Sequence, residues 1–307
     1  MKTVVYQSFR TENVPGWIDA CMATVRQWAG LKGFSYRFWG DSFFDFVPAE
    51  LRSRASTHVC LLSDYARLIA ARELLAEGFD RVIWVDADAV VFDPEHFNID
   101  ITTGFAFCRE VWHDLTVYGR PFFKLTVNNS VSVFCRDQQI IDPYLEEATA
   151  ILASNQPLSA VSIGTEWLHA QRRFTEFPLL NNVGILGPEM MYRYLLDDGR
   201  FLRAYLRYQT SPVYAVNLCN SKLGTTYRFA GTNKPWVLDD AMLCKLIACL
   251  CQDKGASLNH HFDRPYAQHR NEFSRPLSRT QHWIRRLQIF TAHKFSIHLG
   301  KSPACSR

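Results

Sequence analysis

Apolar residues recur with two different periods along the first part of the chain. Short apolar or alternating runs are typical of strands, whereas apolar residues three or four positions apart are typical of helices. The predicted strands are Thr3–Tyr6, Phe34–Trp39 and Arg81–Val85, and the predicted helices are Pro15–Leu31 and Cys60–Glu77. Gly78 is placed to end the second helix. This alternation favours an α/β fold with a Rossmann-like, mainly parallel central sheet flanked by helices.

The rest of the chain has a less regular pattern. It predicts a strand at Thr126–Phe134, a short strand within the loop Asn181–Pro188, a loop at Gly231–Trp236, and helices at Asp142–Ala153, Glu189–Leu196 and Asp240–Cys251. Polar, basic sequence begins near Pro265. We therefore predict one folded domain over residues 1–272, followed by a basic extension over residues 273–307.

The distribution of charge is more informative than its total. The formal net charge of the 307 residues is only +4, which argues against nucleic acid as a partner. No acidic residue follows Glu272, whereas basic residues continue to Arg307. In a helix spanning this extension, one face would carry Trp283, Ile284, Leu287 and Phe290. Such a basic amphipathic helix can lie on an anionic membrane surface or pack on the domain, and the sequence leaves both open.

Cysteine use and hydropathy bear on the compartment. The nine cysteines are odd in number and include no CxxC pair, and the N-terminal segment is too polar for a secretory signal. We expect reduced thiols and a cytoplasmic protein, with peripheral attachment to the inner face of a membrane as an option. No apolar run approaches the roughly 20 residues that span a bilayer.

Two aspartates directly follow the most apolar predicted strand, in the segment Val85-Asp86-Ala87-Asp88-Ala89. In an extended segment, residues two apart point to the same side, so both carboxylates can approach one cation. Mg²⁺ and Mn²⁺ prefer oxygen ligands and commonly bind one or two carboxylates together with substrate phosphates. Ligands of parallel α/β sheets bind beyond the carboxyl ends of the strands. The segment therefore predicts a site for a metal-bound phosphate compound.

Residues 63–68 (SDYARL) and 79–91 (FDRVIWVDADAVV), with Glu73-Leu74-Leu75 between them, resemble the core of GT-A glycosyltransferases. The similarity is greatest to the glycogenin and lipopolysaccharide galactosyltransferase group. It implies transfer of a hexosyl or pentosyl unit from a nucleoside-diphosphate sugar, with a UDP-sugar favoured, to a glycan or glycolipid hydroxyl. It also implies Mn²⁺ or Mg²⁺ on Asp86 and Asp88.

The same resemblance assigns roles to other residues. It implies that residues 1–126 form the nucleotide-sugar-binding half and residues 127–272 the acceptor-facing half. Arg67, with Asp64 on the same helix, would face the phosphates or the donor sugar. Tyr6, Gln7 and Ser8 would meet the base or the ribose at the end of the first strand. Asn182-Val183-Gly184 is similar to the glycine-containing loop between donor and acceptor, which makes Gly184 a candidate donor contact.

Candidates for the base and the third metal ligand lie further along the chain. Leu238-Asp239-Asp240 resembles the acidic motif that ends in the catalytic base of inverting members, so Asp240 is the candidate base, although an Asp at a helix start also acts as a cap. His260 and His261 resemble the C-terminal histidine that completes the metal site, and His269 is a further candidate. An imidazole can join carboxylates on Mn²⁺.

One position of the sequence differs from the pattern of the glycogenin-like group. The segment from Gly231 to Trp236 resembles a Gly-x-x-Lys-Pro-Trp loop whose lysine, here Lys234, contacts the diphosphate. In that group a metal-binding histidine lies three residues before the glycine, where this chain has Arg228. The glycogenin-like reading implies retention of anomeric configuration and the Asp239-Asp240 helix start implies inversion. We favour inversion slightly, because a positioned carboxylate supplies a base.

Two other functions are compatible with parts of the sequence. The segment from Asp86 to Val90 also fits the signature of haloacid-dehalogenase-like phosphatases, in which Asp86 would be a nucleophile. That signature normally ends the first strand of its fold, whereas strands and helices precede it here. The loss of the expected histidine also fits a catalytically inactive pseudo-glycosyltransferase that acts as a binding protein.

Overall fold

A computed structural model describes residues 1–55, 58–115, 121–171, 176–227, 235–260 and 262. The strands are β1 (Thr3–Ser8), β2 (Ser35–Trp39), β3 (Arg81–Val85), β4 (Ala89–Val91), β5 (Phe105–Leu115), β6 (Pro121–Cys135), β7 (Leu179–Leu180), β8 (Val183–Ile185), β9 (Ala215–Asn217), β10 (Thr226–Tyr227) and β11 (Trp236–Val237). The α-helices are α1 (Gly16–Leu31), α2 (Ala49–Arg54), α3 (Val59–Ala76), α4 (Ile141–Ala153), α5 (Thr165–Gln171), α6 (Pro188–Leu195), α7 (Gly199–Leu206), α8 (Asp240–Gln252) and α9 (Ala256–Asn259). Short 3₁₀ helices lie at Asp41–Phe46 and Asn220–Lys222.

The described residues include a central six-stranded sheet with the strand order β2-β1-β3-β6-β5-β7. Strand β1 pairs in parallel with β2 and β3, and β5 pairs in parallel with β7. Strand β6 is antiparallel to both β3 and β5. Helices cover the sheet on both faces, with α3 and α4 on one and α1 on the other. The predicted α/β fold, with a mostly parallel central sheet flanked by helices, is confirmed.

Strand β3 is buried on both faces, which explains its uninterrupted apolar sequence. Val82 and Trp84 point to the face covered by α3, and Ile83 and Val85 point to the face covered by α1. Trp84 also stacks on Phe43 at a ring-centroid distance of 5.4 Å. Packing on both faces therefore holds the strand in place up to Val85, the residue that precedes Asp86.

The long antiparallel pair of β5 and β6 was not predicted at its full extent. The sequence indicated only Thr126–Phe134 of β6, and β6 runs continuously through the expected boundary between residues 126 and 127. Its register with β5 shifts between Ala106 and Cys108. Asp86 N–H donates to Ser130 O at 2.7 Å, so β6 supports the end of β3.

A second, three-stranded sheet in the order β4-β9-β8 forms directly after the two aspartates. Ala89 pairs with Asn217, and Leu218 N–H donates to Asp88 O at 2.9 Å. The chain therefore leaves the central sheet at Asp86 and enters another one at Ala89. As a result, the end of β9 lies beside the two aspartates.

Gly184 lies in β8, where a side chain would have no room. An added Cβ would lie 2.8 Å from the hydroxyl of Tyr205 and 3.1 Å from Cγ1 of Val213. We expect Gly184→Ala to lower the free energy of unfolding by about 1–3 kcal/mol, because the core must shift to admit the methyl group. Urea unfolding measures this change.

The matched control is Gly30→Ala in α1, where an added Cβ meets nothing within 4 Å. It should raise the stability by roughly 0.5–1 kcal/mol, since alanine is the better helix former. Equal effects of the two substitutions would contradict the close packing at Gly184.

Candidate functional site

A cavity of about 1010 Å³ opens at the carboxyl ends of β1 and β3. Ser8 and the aspartates Asp86 and Asp88 line it at these strand ends. Helix α3, the β5–β6 pair, helix α5 and the segment after β9 provide other parts of its wall. The two aspartates singled out by the sequence therefore lie in a concave site large enough for a nucleotide sugar.

Asp86 and Asp88 both reach the cavity, although residues 86–89 form a turn, in which Ala89 N–H donates to Asp86 O at 3.1 Å, instead of the expected extended segment. One amide group of Asn217 lies between them, because its Nδ2 donates to Asp88 Oδ1 at 2.6 Å and lies 3.4 Å from Asp86 Oδ2. Asn220 N–H donates to Asp88 Oδ2 at 2.7 Å. Asn217 and Asn220 were not predicted, because they lie at the end of β9 and just after it, far along the chain, and belong to no motif that marks them.

The electrostatic environment of the two carboxylates favours a partner cation. Burial raises the pKa of Asp88, and the charge of Asp86 raises that pKa further. Burial also raises the pKa of Asp86, although Arg67 opposes the shift. Two neighbouring carboxylates supply the hard oxygen ligands that Mg²⁺ or Mn²⁺ prefers, and a bound ion would relieve this repulsion.

Arg67 is buried behind the aspartates and bonds to both sides of the site. Its guanidinium lies 3.0 Å from Asp64 Oδ1 and 3.2 Å from Asp86 Oδ1, and it donates to the carbonyl oxygen of Asn129 at 2.8 Å. It also lies over the ring of Trp84 at 4.6 Å. The structure therefore brings Asp64, Arg67 and Asp86 together in one buried cluster.

Trp84 and Asn129 complete this cluster but were not identified as site residues. Trp84 Nε1 donates to Asp86 Oδ1 at 2.6 Å, and Asn129 Nδ2 donates to Asp64 Oδ1 at 2.9 Å. The apolar pattern of the strand predicted only that Trp84 is a core residue. Hydrophobic periodicity does not indicate what the indole N–H of a tryptophan contacts. Burial raises the pKa of Asp64 to about 6, against the opposing effect of Arg67.

The structure corrects three of the predicted donor contacts. Tyr6 and Gln7 are fully buried and do not line the cavity, although Ser8 does. The hydroxyl of Tyr6 donates to the carbonyl oxygen of Arg67 at 2.8 Å, and Gln7 Nε2 donates to that of Asp86 at 3.2 Å. Their role is therefore to support the site from behind. Gly184 is packed in the core, and its neighbour Ile185 reaches the cavity instead.

The predicted base and one predicted metal ligand also lie elsewhere. Asp240 is exposed at the first turn of α8 and does not line the cavity, and its neighbour Asp239 caps that helix by accepting from Met242 N–H at 2.9 Å. His260 is exposed after α9 and does not meet Asp86 or Asp88. The helix-capping interpretation therefore explains Asp239. Arg228, Lys234, His261, His269 and residues 273–307 lie outside the described residues.

One face of the β5–β6 pair forms another wall of the cavity and was missed from sequence. It presents Glu110 and Trp112 from β5 and Lys124, Thr126 and Asn128 from β6. The sequence of β5 lacks a clear alternation of apolar and polar residues, because its core face and its cavity face both carry large side chains, so no strand was predicted there. Antiparallel pairing with β6 aligns these residues, and no local pattern specifies that register.

Within the described ranges, one other group could approach a metal ion: Asp93, Glu95 and His96. Asp93 accepts from the backbone N–H and the ring of His96, and Glu95 pairs with Lys254 at 2.7 Å. These contacts are those of a surface turn, and we assign no ligand to it. In the same ranges, every helix is too short or too polar to cross a bilayer.

Comparison with known proteins gives a distant structural similarity. No protein-family model matches the chain, and no curated protein matches it. Among solved structures it is similar to a glycosyltransferase involved in the glycosylation of the major capsid of PBCV-1. The sequences are 11% identical, the match covers 71% of this chain and 93% of that chain, and the TM-score is 0.41. At this distance, the function has to be inferred from the site itself.

Proposed function

We propose that this chain is a GT-A-type glycosyltransferase. It transfers a hexosyl or pentosyl unit from a nucleoside-diphosphate sugar, with a UDP-sugar as the favoured donor, to a hydroxyl of a glycan or glycolipid. The observation that supports this most is the position of Asp86 and Asp88 together at the carboxyl end of β3, in a large cavity beside the buried Arg67. Carboxylates in that position suit a metal-bound diphosphate.

Asp86 and Asp88 would hold Mn²⁺ or Mg²⁺. A bound cation neutralises the charge that develops on a departing nucleoside diphosphate. Asn217 and Asn220 hold Asp88 in place, and Trp84 and Arg67 hold Asp86. The carboxylates are thus oriented before any ligand arrives, which lowers the cost of forming the site.

The charges of the cluster explain why the donor should need the cation. Asp64 and Asp86 share the positive charge of Arg67, and Asp88 adds a third carboxylate next to Asp86, so acidic groups outnumber basic ones in this cluster and disfavour a bare diphosphate. A divalent cation balances the excess. Arg10, Lys124 and Lys222 also line the cavity and can contact the phosphates or the sugar.

A thermal-shift screen of UDP, GDP, CMP and their sugars, with and without Mn²⁺, tests the proposal. We expect a UDP-sugar to stabilise the protein only when Mn²⁺ is present. At 100 times Kd, binding adds about 2.7 kcal/mol, or roughly 5–10 °C in Tm. No stabilisation by any nucleotide sugar in either condition would overturn the proposal.

The two alternative functions give different results in related assays. A phosphatase would release phosphate from a generic aryl phosphate, and a glycosyltransferase would not. A pseudo-glycosyltransferase would bind the donor without turning it over. Donor hydrolysis that disappears in Asp88→Ala would exclude the inactive protein. NMR assignment of the product anomer would then distinguish inversion, which we favour, from retention.

A further inference from the structure

Glu110 is a buried carboxylate in the cavity wall that metal binding does not use. It lies on β5 opposite Thr126 of β6, and its exposed fraction is 6%. Asn128 Nδ2 donates to Glu110 Oε1 at 3.4 Å. The same strand face carries Trp112 and Lys124, which also line the cavity. A carboxylate beside an aromatic ring and polar side chains is a suitable surface for a sugar, whose hydroxyls form hydrogen bonds and whose C–H faces stack on rings.

The surroundings of Glu110 bring the pKa of its carboxyl group close to neutral pH. Burial raises the pKa of Glu110 to about 7, against the opposing effects of Asn128 and Lys124. The other titratable groups that face it are Cys108 on β5, Tyr205 on α7 and Cys219 after β9. Burial raises the pKa of each of these groups, so they stay neutral near pH 7. Glu110 is thus the group of this wall that changes charge there.

The fold places Glu110 in the wall of the same cavity as the predicted phosphate site. Asp86 N–H bonds to Ser130 on β6, and Glu110 pairs with Thr126 on the same strand. Four residues of extended strand span about 13 Å, and the register shift between Ala106 and Cys108 leaves residues 129–132 of β6 without partners on β5. A donor sugar attached to a diphosphate at Asp86 and Asp88 would fit between the two positions, with its acceptor next to Glu110.

We propose that Glu110 is the general base that deprotonates the acceptor hydroxyl. This inference rests on the proposed glycosyltransferase function. The acceptor O–H proton moves to the Glu110 carboxylate while the acceptor oxygen forms a bond to the anomeric carbon. The bond from that carbon to the diphosphate oxygen breaks, and its electron pair leaves with the nucleoside diphosphate. Direct displacement of this kind inverts the anomeric configuration, and Glu110 takes the role that Asp240 cannot fill from its exposed position.

Glu110→Gln tests this role, because glutamine keeps the shape and can still accept from Asn128. With Mn²⁺ and the UDP-sugar selected by the thermal-shift screen, we expect kcat for transfer to p-nitrophenyl glycosides and for donor hydrolysis to fall by about 10²–10⁴-fold. The Kd of the Mn²⁺–UDP complex should change less than about twofold. Loss of a buried charge should leave Tm equal to or above that of the wild type, which separates a chemical effect from misfolding.

The pH profile distinguishes a base from a structural residue. In the wild type, kcat should rise with pH and level off above about 7, because the base acts only when deprotonated. The residual activity of Glu110→Gln should lack this rise, and Glu110→Asp should recover part of it. The control is Glu146→Gln, the same substitution at an exposed site on α4, which should leave kcat and its profile unchanged.

The failures of the two proposals look different. If Glu110→Gln retains the wild-type kcat and pH profile while the wild type transfers sugar, Glu110 is not the base and the proposed function still holds. If the product anomer matches the donor, direct displacement with Glu110 as base is also excluded. If the wild type neither binds nor turns over any nucleotide sugar, the proposed function fails and the role of Glu110 with it.

Discussion

Asp88→Asn should weaken Mn²⁺-dependent binding of UDP by at least about 100-fold, since even the loss of a group that only supports a metal ligand costs 10–100-fold in affinity. Asparagine is nearly isosteric with aspartate and can still accept from Asn220 N–H. The stability of the metal-free protein should stay within about 1 kcal/mol, or roughly 2–4 °C in Tm, because removing a charge that burial and Asp86 disfavour offsets the hydrogen bond that Asn217 Nδ2 can no longer donate.

Calorimetric titration with Mn²⁺ and UDP, together with thermal melts in EDTA, measures both effects. The control is Asp142→Asn, which changes an exposed aspartate on α4 whose carboxylate lies 3.5 Å from Arg72. It should leave binding unchanged and Tm within about 1 °C. Undiminished Mn²⁺-dependent binding by Asp88→Asn would show that Asp88 is not a metal ligand.

Arg67→Met should destabilise the protein by about 3–5 kcal/mol, because it leaves Asp64 and Asp86 buried without their shared cation. This loss corresponds to roughly 10 °C or more in Tm. It should be greatest near pH 8 and smaller near pH 5. Removing Arg67 raises the pKa of both carboxylates, so protonation at low pH removes the uncompensated charges in the folded state.

Urea unfolding at several pH values measures this loss. Arg72→Met on the same helix is the matched control, because Arg72 is half exposed and lies 3.5 Å from Asp142. An exposed pair of this kind contributes about 0–1 kcal/mol. If the two arginine variants lost the same stability at every pH, the buried position of Arg67 between two carboxylates would be wrong.

Much of the frame of the candidate site was predictable because its signals are local. The helix with Asp64 and Arg67 and the strand that ends at Asp86 lie within about two dozen residues, and each has the period of its element. The helix predicted at Cys60–Glu77 is α3, Val59–Ala76, and the strand predicted at Arg81–Val85 is β3 with the same bounds. Short-range periodicity is a reliable guide there because both elements bury a face against the same core.

The site residues predicted in the second half of the chain depended on the order of motifs along the sequence, and the structure places the described ones among them away from the cavity. Asp240 and His260 lie in the expected order along the chain, but neither reaches the cavity. An aspartate at a helix start is explained by its effect on the helix itself, so that pattern does not indicate where the helix points. Gly184 is required by close packing rather than by a donor sugar.

The sequence by itself determined the α/β class, the strand that ends in Asp86-Ala87-Asp88, and the helix that supplies Arg67. Only the tertiary structure decided what surrounds them. Asn217 meets Asp88 across 129 residues of sequence, and Glu110 faces the cavity through its pairing with β6. Such contacts depend on strand register and on packing between distant segments. The local sequence does not specify either of these. The hydrophobic period of a strand indicates which face each side chain takes, but it does not indicate which residue of another strand pairs with it.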